Sequence, residues 1–525
     1  METRKPTETE LTLVADPDAL PRLEQALRGW AGKQKPSRRT LASTYYDTPT
    51  QALHRAAMAL RVRRHGRRFV QTVKSAAVDG DPFTRGEWED PIAQDQPDLA
   101  AGDSSAQIAA FVAGSELQPL FVTTVRRTAA MIEPRAGTLI EVALDAGEIR
   151  SADGTRSEMI SEVELELKNG EAAVLYDVAL RLNEVTPLRI ELSSKSERGY
   201  RMVNGDRQPQ VVRAAPLRFA PEMSVETVLQ CVGRSCLGMM IKNQNPAIAG
   251  VPDGVHQLRV AARRLRSFLN TLRWMLPEEH YRWAAGELKS IADALGPARN
   301  WEVFEASLLT PLRKALPNEP GLAGLAAAAE SERLRAYERA RTALVERHTT
   351  ESILKLMRWF ETRGWRDQPV SESSARLVAP ISQIAGELLA HRLRQARKRS
   401  KHFVQLGEAQ RHKLRIALKK LRYAIEFLES ILPADALATL LKRVKPLQED
   451  LGHANDVRTA GALLGGLNLA TSDNERMALA RAGGLLLGWH DRALADDEQR
   501  LRKRIRRFRR AKAAEAMTAC SAAPT

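Results

Sequence analysis

The chain has 525 residues, of which 43% are hydrophobic and 27% charged, with three cysteines and a formal net charge of +16. That length calls for two or more domains, and the composition excludes a disordered chain. A disulfide framework is excluded too, and no apolar run reaches the length of a membrane span.

The opening residues, Met1-Glu2-Thr3-Arg4-Lys5, lead into polar sequence, so no signal peptide is expected and a cytoplasmic, reducing setting fits. Cys231 and Cys236 read as thiols packed in a helix rather than as metal ligands, because no second ligand pair lies nearby. Charge is unevenly spread. Residues 1–220 hold 30 Lys and Arg against 31 Asp and Glu, and residues 221–525 hold 50 against 33. The positive excess lies entirely in the second part, where a polyanion-binding surface is expected.

In chain order, the first elements alternate with period two and read as strands. In Thr7-Glu8-Thr9-Glu10-Leu11-Thr12-Leu13, Glu8, Glu10 and Thr12 share one face and the leucines the other. Arg61 and Arg63 share a face opposite Leu60 and Val62. Val70, Thr72 and Lys74 alternate likewise, as do Glu87 and Glu89 across Trp88. Glu162, Glu164, Glu166 and Lys168 line one face of a later strand. On one strand this pattern describes a solvated sheet face. Repeated over acid-rich and base-rich strands, it describes a closed barrel with charge turned inward, which is costly unless the charges are paired or given a ligand. A triphosphate with divalent metal meets both needs: carboxylates hold the cations, and arginine and lysine hold the phosphoryl oxygens.

Seven segments in order resemble the CYTH superfamily: Glu8-x-Glu10, Ser43-Thr44-Tyr45-Tyr46-Asp47-Thr48, Ala59 to Arg63, Gln71 to Lys74, Arg85 to Glu89, Glu162 to Lys168 and Leu192 to Tyr200. The resemblance covers about residues 6–203 and implies an antiparallel triphosphate tunnel. It implies Mg or Mn held by Glu8, Glu10, Glu164 and Glu166, with Glu162 and Asp145 as further candidates. It also implies phosphate contacts from Arg61, Arg63 and Lys74 at the reacting end, and from Arg85, Arg126, Lys168 and Lys195 along the chain. Glu8 or Glu10 is the expected partner for the water proton. The sequence departs from the family at Thr12, where the opening motif carries lysine.

Residues 204–222, with Gly205, Pro209, Pro216 and Pro221, read as a linker. Beyond it the apolar period becomes helical. His256-Gln257-Leu258-Arg259-Val260-Ala261-Ala262-Arg263-Arg264-Leu265-Arg266 returns as His412-Lys413-Leu414-Arg415-Ile416-Ala417-Leu418-Lys419-Lys420-Leu421-Arg422, an offset of 156. Leu295-Gly296-Pro297-Ala298 returns as Leu451-Gly452-His453-Ala454 at the same offset. Two related helical bundles facing each other across a pseudo-twofold axis are expected. His256, Arg259, Arg263 and Arg266 form one acid-free stripe, and His412, Arg415, Lys419 and Arg422 its copy. Like charges stacked on one face repel unless an anion lies between them.

These helices, each followed by a Leu-Gly motif (the first continuing to Arg299-Asn300), resemble the CHAD domain over about residues 224–505. The resemblance implies a basic groove between two bundles and association with inorganic polyphosphate through both stripes and Arg299. The expected fold is therefore multidomain. An N-terminal antiparallel β tunnel or barrel with helices (α+β) occupies residues 1–203, and an all-α pair of bundles residues 223–510, followed by a tail at 511–525. The expected function is metal-dependent hydrolysis of tripolyphosphate or a similar triphosphate, coupled to polyphosphate binding. A non-catalytic scaffold on polyphosphate granules is the alternative, and Thr12 keeps it open. Membrane and nucleic acid are not expected as partners, the latter because only 5% of residues are aromatic.

Overall fold

The computed structural model describes residues 7–32, 35–77, 84–112, 114–206, 208–467 and 472–511. Cys520 and residues 512–525 of the expected tail lie outside these. The chain forms two compact units. The first runs through Val211 and also takes in Ile241–Ala249 and Leu344–Gly364. The second comprises Val212–Met240, Gly250–Ala343 and the chain from Trp365 onward.

In the first unit, β1 (Thr7–Val14), β2 (Ser37–Asp47), β3 (Ala59–His65), β4 (Arg68–Ala77), β5 (Thr84–Ile92), β6 (Gln118–Arg135), β7 (Thr138–Ser151), β8 (Ser157–Asn169) and β9 (Arg189–Glu191) make one antiparallel sheet. The order is β5-β4-β3-β2-β6-β7-β8-β1, and β1 pairs back onto β5, so eight strands close into a barrel. The short β9 pairs with β1 through Thr12–Glu191. Closure removes both sheet edges and leaves each strand an inner and an outer face.

The faces follow the alternation in the sequence. Leu11, Leu13, Val163, Leu165, Ile140 and Val142 are buried on the outer side. Helices Leu20–Trp30 and Ala173–Val185 pack over β6, and over β7 and β8 respectively. They bury Leu23, Leu27, Val178 and Leu182 there. The apolar core thus lies between barrel and helices, and polar side chains are left for the interior. Segments from later in the chain complete this unit. Helix Arg347–Glu361 packs on Ala173–Val185. Thr350 Oγ1 donates to the Leu188 carbonyl (2.5 Å), and Asn183 Nδ2 to the Arg347 carbonyl (3.1 Å).

The second unit is helical, and the offset of 156 holds for whole helices. Val225–Lys242, Pro252–Leu272 and Glu278–Ala294 each begin 156 residues before Ile381–Arg399, Glu408–Leu428 and Ala434–Gly465. The copies diverge where Pro297 stands. The first copy breaks at Leu295 and restarts as Gly296–Val303, whereas the second, with His453 at that place, continues as one helix. Proline has no amide proton to donate and crowds the preceding turn, although the second helix accommodates Pro446 in its interior. The copies meet reciprocally: Arg264 reaches Glu426 (3.0 Å) while Lys420, its equivalent, reaches Asn270, the equivalent of Glu426 (2.8 Å). Such exchanged contacts are the mark of a twofold relation. Cys231 and Cys236 lie on helix Val225–Lys242, half-buried and buried, and burial pushes the Cys236 thiol up to about 12. Among the described residues no helix is long and apolar enough to cross a membrane.

Candidate functional site

The barrel interior holds a cavity of about 290 Å³. Glu8, Glu10, Arg61, Arg63, Lys74, Arg85, Glu164, Glu166, Lys168 and Lys195 all line it, as do Asp145 and Glu162. One sequence expectation is corrected. Arg126 is exposed and does not line the cavity, while Arg127 does. Thr123, Val125, Arg127 and Ala129 are the inward positions of β6, and pairing of Arg127 with Asp145 fixes that parity. Glu87, Glu89 and Tyr45 also line the cavity, although only their segments, not their roles, were marked in the sequence.

Cross-strand register sets the charges against one another. Asp145 faces Arg127 on β6 and Glu162 on β8, and Thr12 faces Glu164. Asp145, Glu162 and Glu164 each place one carboxylate oxygen within 4.8 Å of the others. Of this trio only Glu164 belonged to the principal expected metal set. Arg127 pairs with Asp145 (2.6 Å) and closely with Glu164. Lys195 reaches all three acids, with Asp145 at 2.8 Å.

Lys195 owes its place to local sequence. Ser194 and Glu197 form a capping box that starts helix Lys195–Val203, so Lys195 is its first residue. The helix lies tight against the barrel because Gly199 has no Cβ: one built there would come within 2.2 Å of the Phe121 ring. Tyr200 donates to the buried Asp47 (2.9 Å), and Arg198 pairs with Glu162 (2.9 Å). Nearby, Glu191 accepts from Asn245 (2.9 Å), so one of the late segments steadies a cavity residue.

The electrostatics divide the cavity in two. Around β1 and β5, burial and a hydrogen bond with Glu87 push Glu8 up to about 8 despite the adjacent Lys74, while Glu87 falls to about 2. Burial and Glu164 raise Glu10 as well. Toward β7 and β8, Arg127 and Lys195 hold Glu164 well below the carboxylate range against the effect of burial. Thr12 donates to Glu10 (2.9 Å), a neutral contact where the family has a cation. Arg63 donates to Ser43 (3.0 Å) and makes no ion pair among the described residues; burial and Arg61 bring it down to about 10. The buried Nε of Arg61 has no hydrogen-bond partner among the described residues. Such donors suit an incoming anion.

Ten acids and eight Lys or Arg line the cavity. Three hard oxygen donors at mutual ion-binding distance fit a hard divalent cation, provided the Lys195 ammonium yields its place.

In the helical unit a second cavity, about 310 Å³, opens between the copies. His256, Arg259, Arg263, Arg299, Arg415 and Lys419 line it, while Arg266, His412 and Arg422 do not. His412 instead contacts Asn455 (2.8 Å), and Arg422 pairs with Glu426 (3.1 Å). Arg259 and Arg415, like Arg263 and Lys419, are equivalent residues, which places the cavity on the pseudo-twofold axis. Among the described residues, five Lys or Arg meet one carboxylate there, Asp456, and the buried Arg415 Nε has no hydrogen-bond partner. Burial, then Arg299, pushes His256 down to about 4, and burial, then Arg263, brings Arg259 to about 10.

A barrel with charge inside, followed by a two-copy helical unit with a basic axis, defines a protein of two dissimilar domains. The chain is a CYTH–CHAD protein, matching the CYTH domain over residues 6–200 and the CHAD domain over 232–465. It is 32% identical over 161 residues to the inorganic triphosphatase of Haemophilus influenzae, covering 30% of this chain and 45% of that one. It is 26% identical over 287 residues to an uncharacterized Mycobacterium tuberculosis protein, covering 52% and 53%. The chain thus spans about half the length of these curated relatives. The crystal structure of the CHAD domain from the plant Ricinus communis is 25% identical, with a TM-score of 0.46 over 60% of this chain and 98% of that one.

Proposed function

We propose that the barrel hydrolyses tripolyphosphate, or another short phosphate chain, with Mg or Mn, and that the axial cavity binds inorganic polyphosphate. One observation carries the first part: a single cavity joins eight cationic side chains to a carboxylate trio spaced for an ion. Similarity to an inorganic triphosphatase supports it. Asp145, Glu162 and Glu164 would hold the ion, with Glu10 beside them, and when bound it supplies charge neutralisation and a more acidic water. Arg61, Arg63 and Lys74 hold phosphoryl oxygens and stabilise charge as it develops. Arg85 and Lys168 orient the rest of the chain. Glu8, raised to about 8 by burial and the neighbouring Glu87, can take up or give back a proton near neutral pH.

The test is phosphate release from tripolyphosphate by the full chain with Mg or Mn and in excess chelator. No release with either metal, or undiminished release in chelator, refutes the reading. A second reading, a polyphosphate-binding scaffold without catalysis, draws on Thr12 and on Lys195 seated among the trio. Tripolyphosphate binding without release selects it. Among the described residues, Phe304 and His256 carry the only rings that line the axial cavity, so stacked bases have little to rest on. Long-chain polyphosphate should outcompete single-stranded nucleic acid of equal charge at fixed salt, and equal or tighter nucleic-acid binding refutes this half. Association with polyphosphate granules would follow from the same binding.

A further inference from the structure

The two helical copies differ in charge on either side of the axis. On one flank, Glu426 receives both Arg264 (3.0 Å) and Arg422 (3.1 Å), and the equivalent of Arg392 is the uncharged thiol of Cys236. On the other flank, Asn270 stands in place of Glu426, Lys420 in place of Arg264, and Arg392 in place of Cys236. Lys420 Nζ and Arg392 Nη2 both donate to the same Asn270 Oδ1, at 2.8 and 3.0 Å, while Arg392 Nε donates to Thr271 Oγ1 at 3.1 Å and its Nη1 to Gln395 Oε1 at 3.2 Å, all neutral acceptors. Arg392 is only 3% exposed, yet neither it nor Lys420 makes an ion pair among the described residues.

Two cations that share one neutral oxygen in a mostly buried setting lack the counter-charge such groups demand. Their titration agrees with the geometry. Burial brings Arg392 to about 10, and burial followed by Arg392 and Arg266 brings Lys420 to about 8. The cluster adjoins residues of the axial cavity. Arg266 lies one turn beyond the cavity-lining Arg263 on helix Pro252–Leu272, and Lys420 follows the cavity-lining Lys419 on helix Glu408–Leu428. On the opposite flank the same path ends at Glu426.

We propose that Arg392, Lys420 and Asn270 form a phosphoryl-anion subsite that leads a bound phosphate chain out of the axial cavity on this flank alone, with Glu426 closing the equivalent flank. The proposal rests on the polyphosphate reading and gives it a direction. Arg392 offers a planar fork, Lys420 a compact ammonium, and a phosphate between them would supply the missing negative charge.

Lysine footprinting of the full chain tests it. Acetylation at each lysine is read by mass spectrometry with and without long-chain polyphosphate, in chelator to suppress turnover. Protection of both Lys419, in the axial cavity, and Lys420 is expected. Protection of Lys419 with Lys420 acetylated equally in both samples overturns the proposal and leaves polyphosphate binding intact. Protection of neither overturns the polyphosphate reading and this inference with it. Asn270→Glu, which copies the closed flank, should lower long-chain affinity about tenfold or more and flatten its salt dependence, since two cations cease to release counterions. Unchanged affinity and slope in a variant with wild-type thermal unfolding also overturn it.

Discussion

Replacing Lys419 with arginine should remove most of the pH dependence of polyphosphate binding on the acid side of the Lys420 titration. Lys419 lines the axial cavity, and burial, then Arg263 and Arg415, pushes its ammonium down to about 6, with Asp456 opposing. At about pH 7.5 the free site is therefore mostly neutral at this position. A bound polyanion restores the proton, and the restoration costs about 1.5 pH units, or about 2 kcal/mol, equivalent to roughly thirtyfold in affinity. The complex holds more protons than the free protein, so affinity falls as pH rises above about 6. The fall is up to about tenfold per pH unit until the lysine of the complex titrates. In the free protein His256 titrates well below this window and Lys420 near its upper end, at about 4 and about 8. Arginine keeps its charge throughout, and Arg263 in the first copy shows that a guanidinium suits the equivalent position. Lys419→Arg should thus bind long-chain polyphosphate about thirtyfold more tightly at about pH 7.5. Titrations at constant ionic strength give the slope, and calorimetry in two buffers of different ionisation enthalpy counts the protons taken up. A wild-type protein that takes up none, or a variant with an unchanged slope, refutes the reasoning.

Glu164→Gln removes the carboxylate shared by Arg127 and Lys195 and should abolish metal-dependent phosphate release while cooperative unfolding persists; retention of more than about a tenth of the rate contradicts the trio's role. Glu87→Gln removes the negative charge that helps hold the Glu8 proton, so the inflection expected near pH 8 in the rate profile should move down, and an unmoved inflection assigns it elsewhere. Thr12→Lys sets a cation beside Glu10 and across from Glu164, and one added charge-assisted contact, about 1.5–3 kcal/mol, should tighten tripolyphosphate binding about tenfold or more. Unchanged affinity and turnover would mean that Lys74 and Lys195 already fill that role.

The barrel interior was legible because alternation carries through every charged strand. Glu8 and Glu10, Arg61 and Arg63, and Glu162 to Lys168 each fall on one face, and closure brings those faces together. Parity failed at Arg126 and Arg127, since two adjacent arginines leave the inward one undecided until β6 pairs with β7. The carboxylate trio was only half visible, because Asp145 reaches Glu162 across strands rather than along one. In the helical unit a wheel identified the basic stripes but not their ends. Arg266 and Arg422 share the stripes' direction yet lie past the axial cavity, where Glu426 binds one of them. Nothing in helical periodicity revealed that Ile241–Ala249 and Leu344–Gly364 would pack with the barrel, because an apolar stripe does not name its partner.

Those borrowed segments set a timetable for synthesis. The Leu188 carbonyl and the Thr350 hydroxyl that binds it lie 162 residues apart in sequence. At about 5–20 residues per second, the barrel strands leave the ribosome roughly 10 to 30 seconds before the helix that completes their unit. Throughout that interval the outer surface of Ala173–Val185 waits without its covering helix, exposed to chaperones and to neighbouring nascent chains. A stop codon placed after the barrel would make the wait permanent.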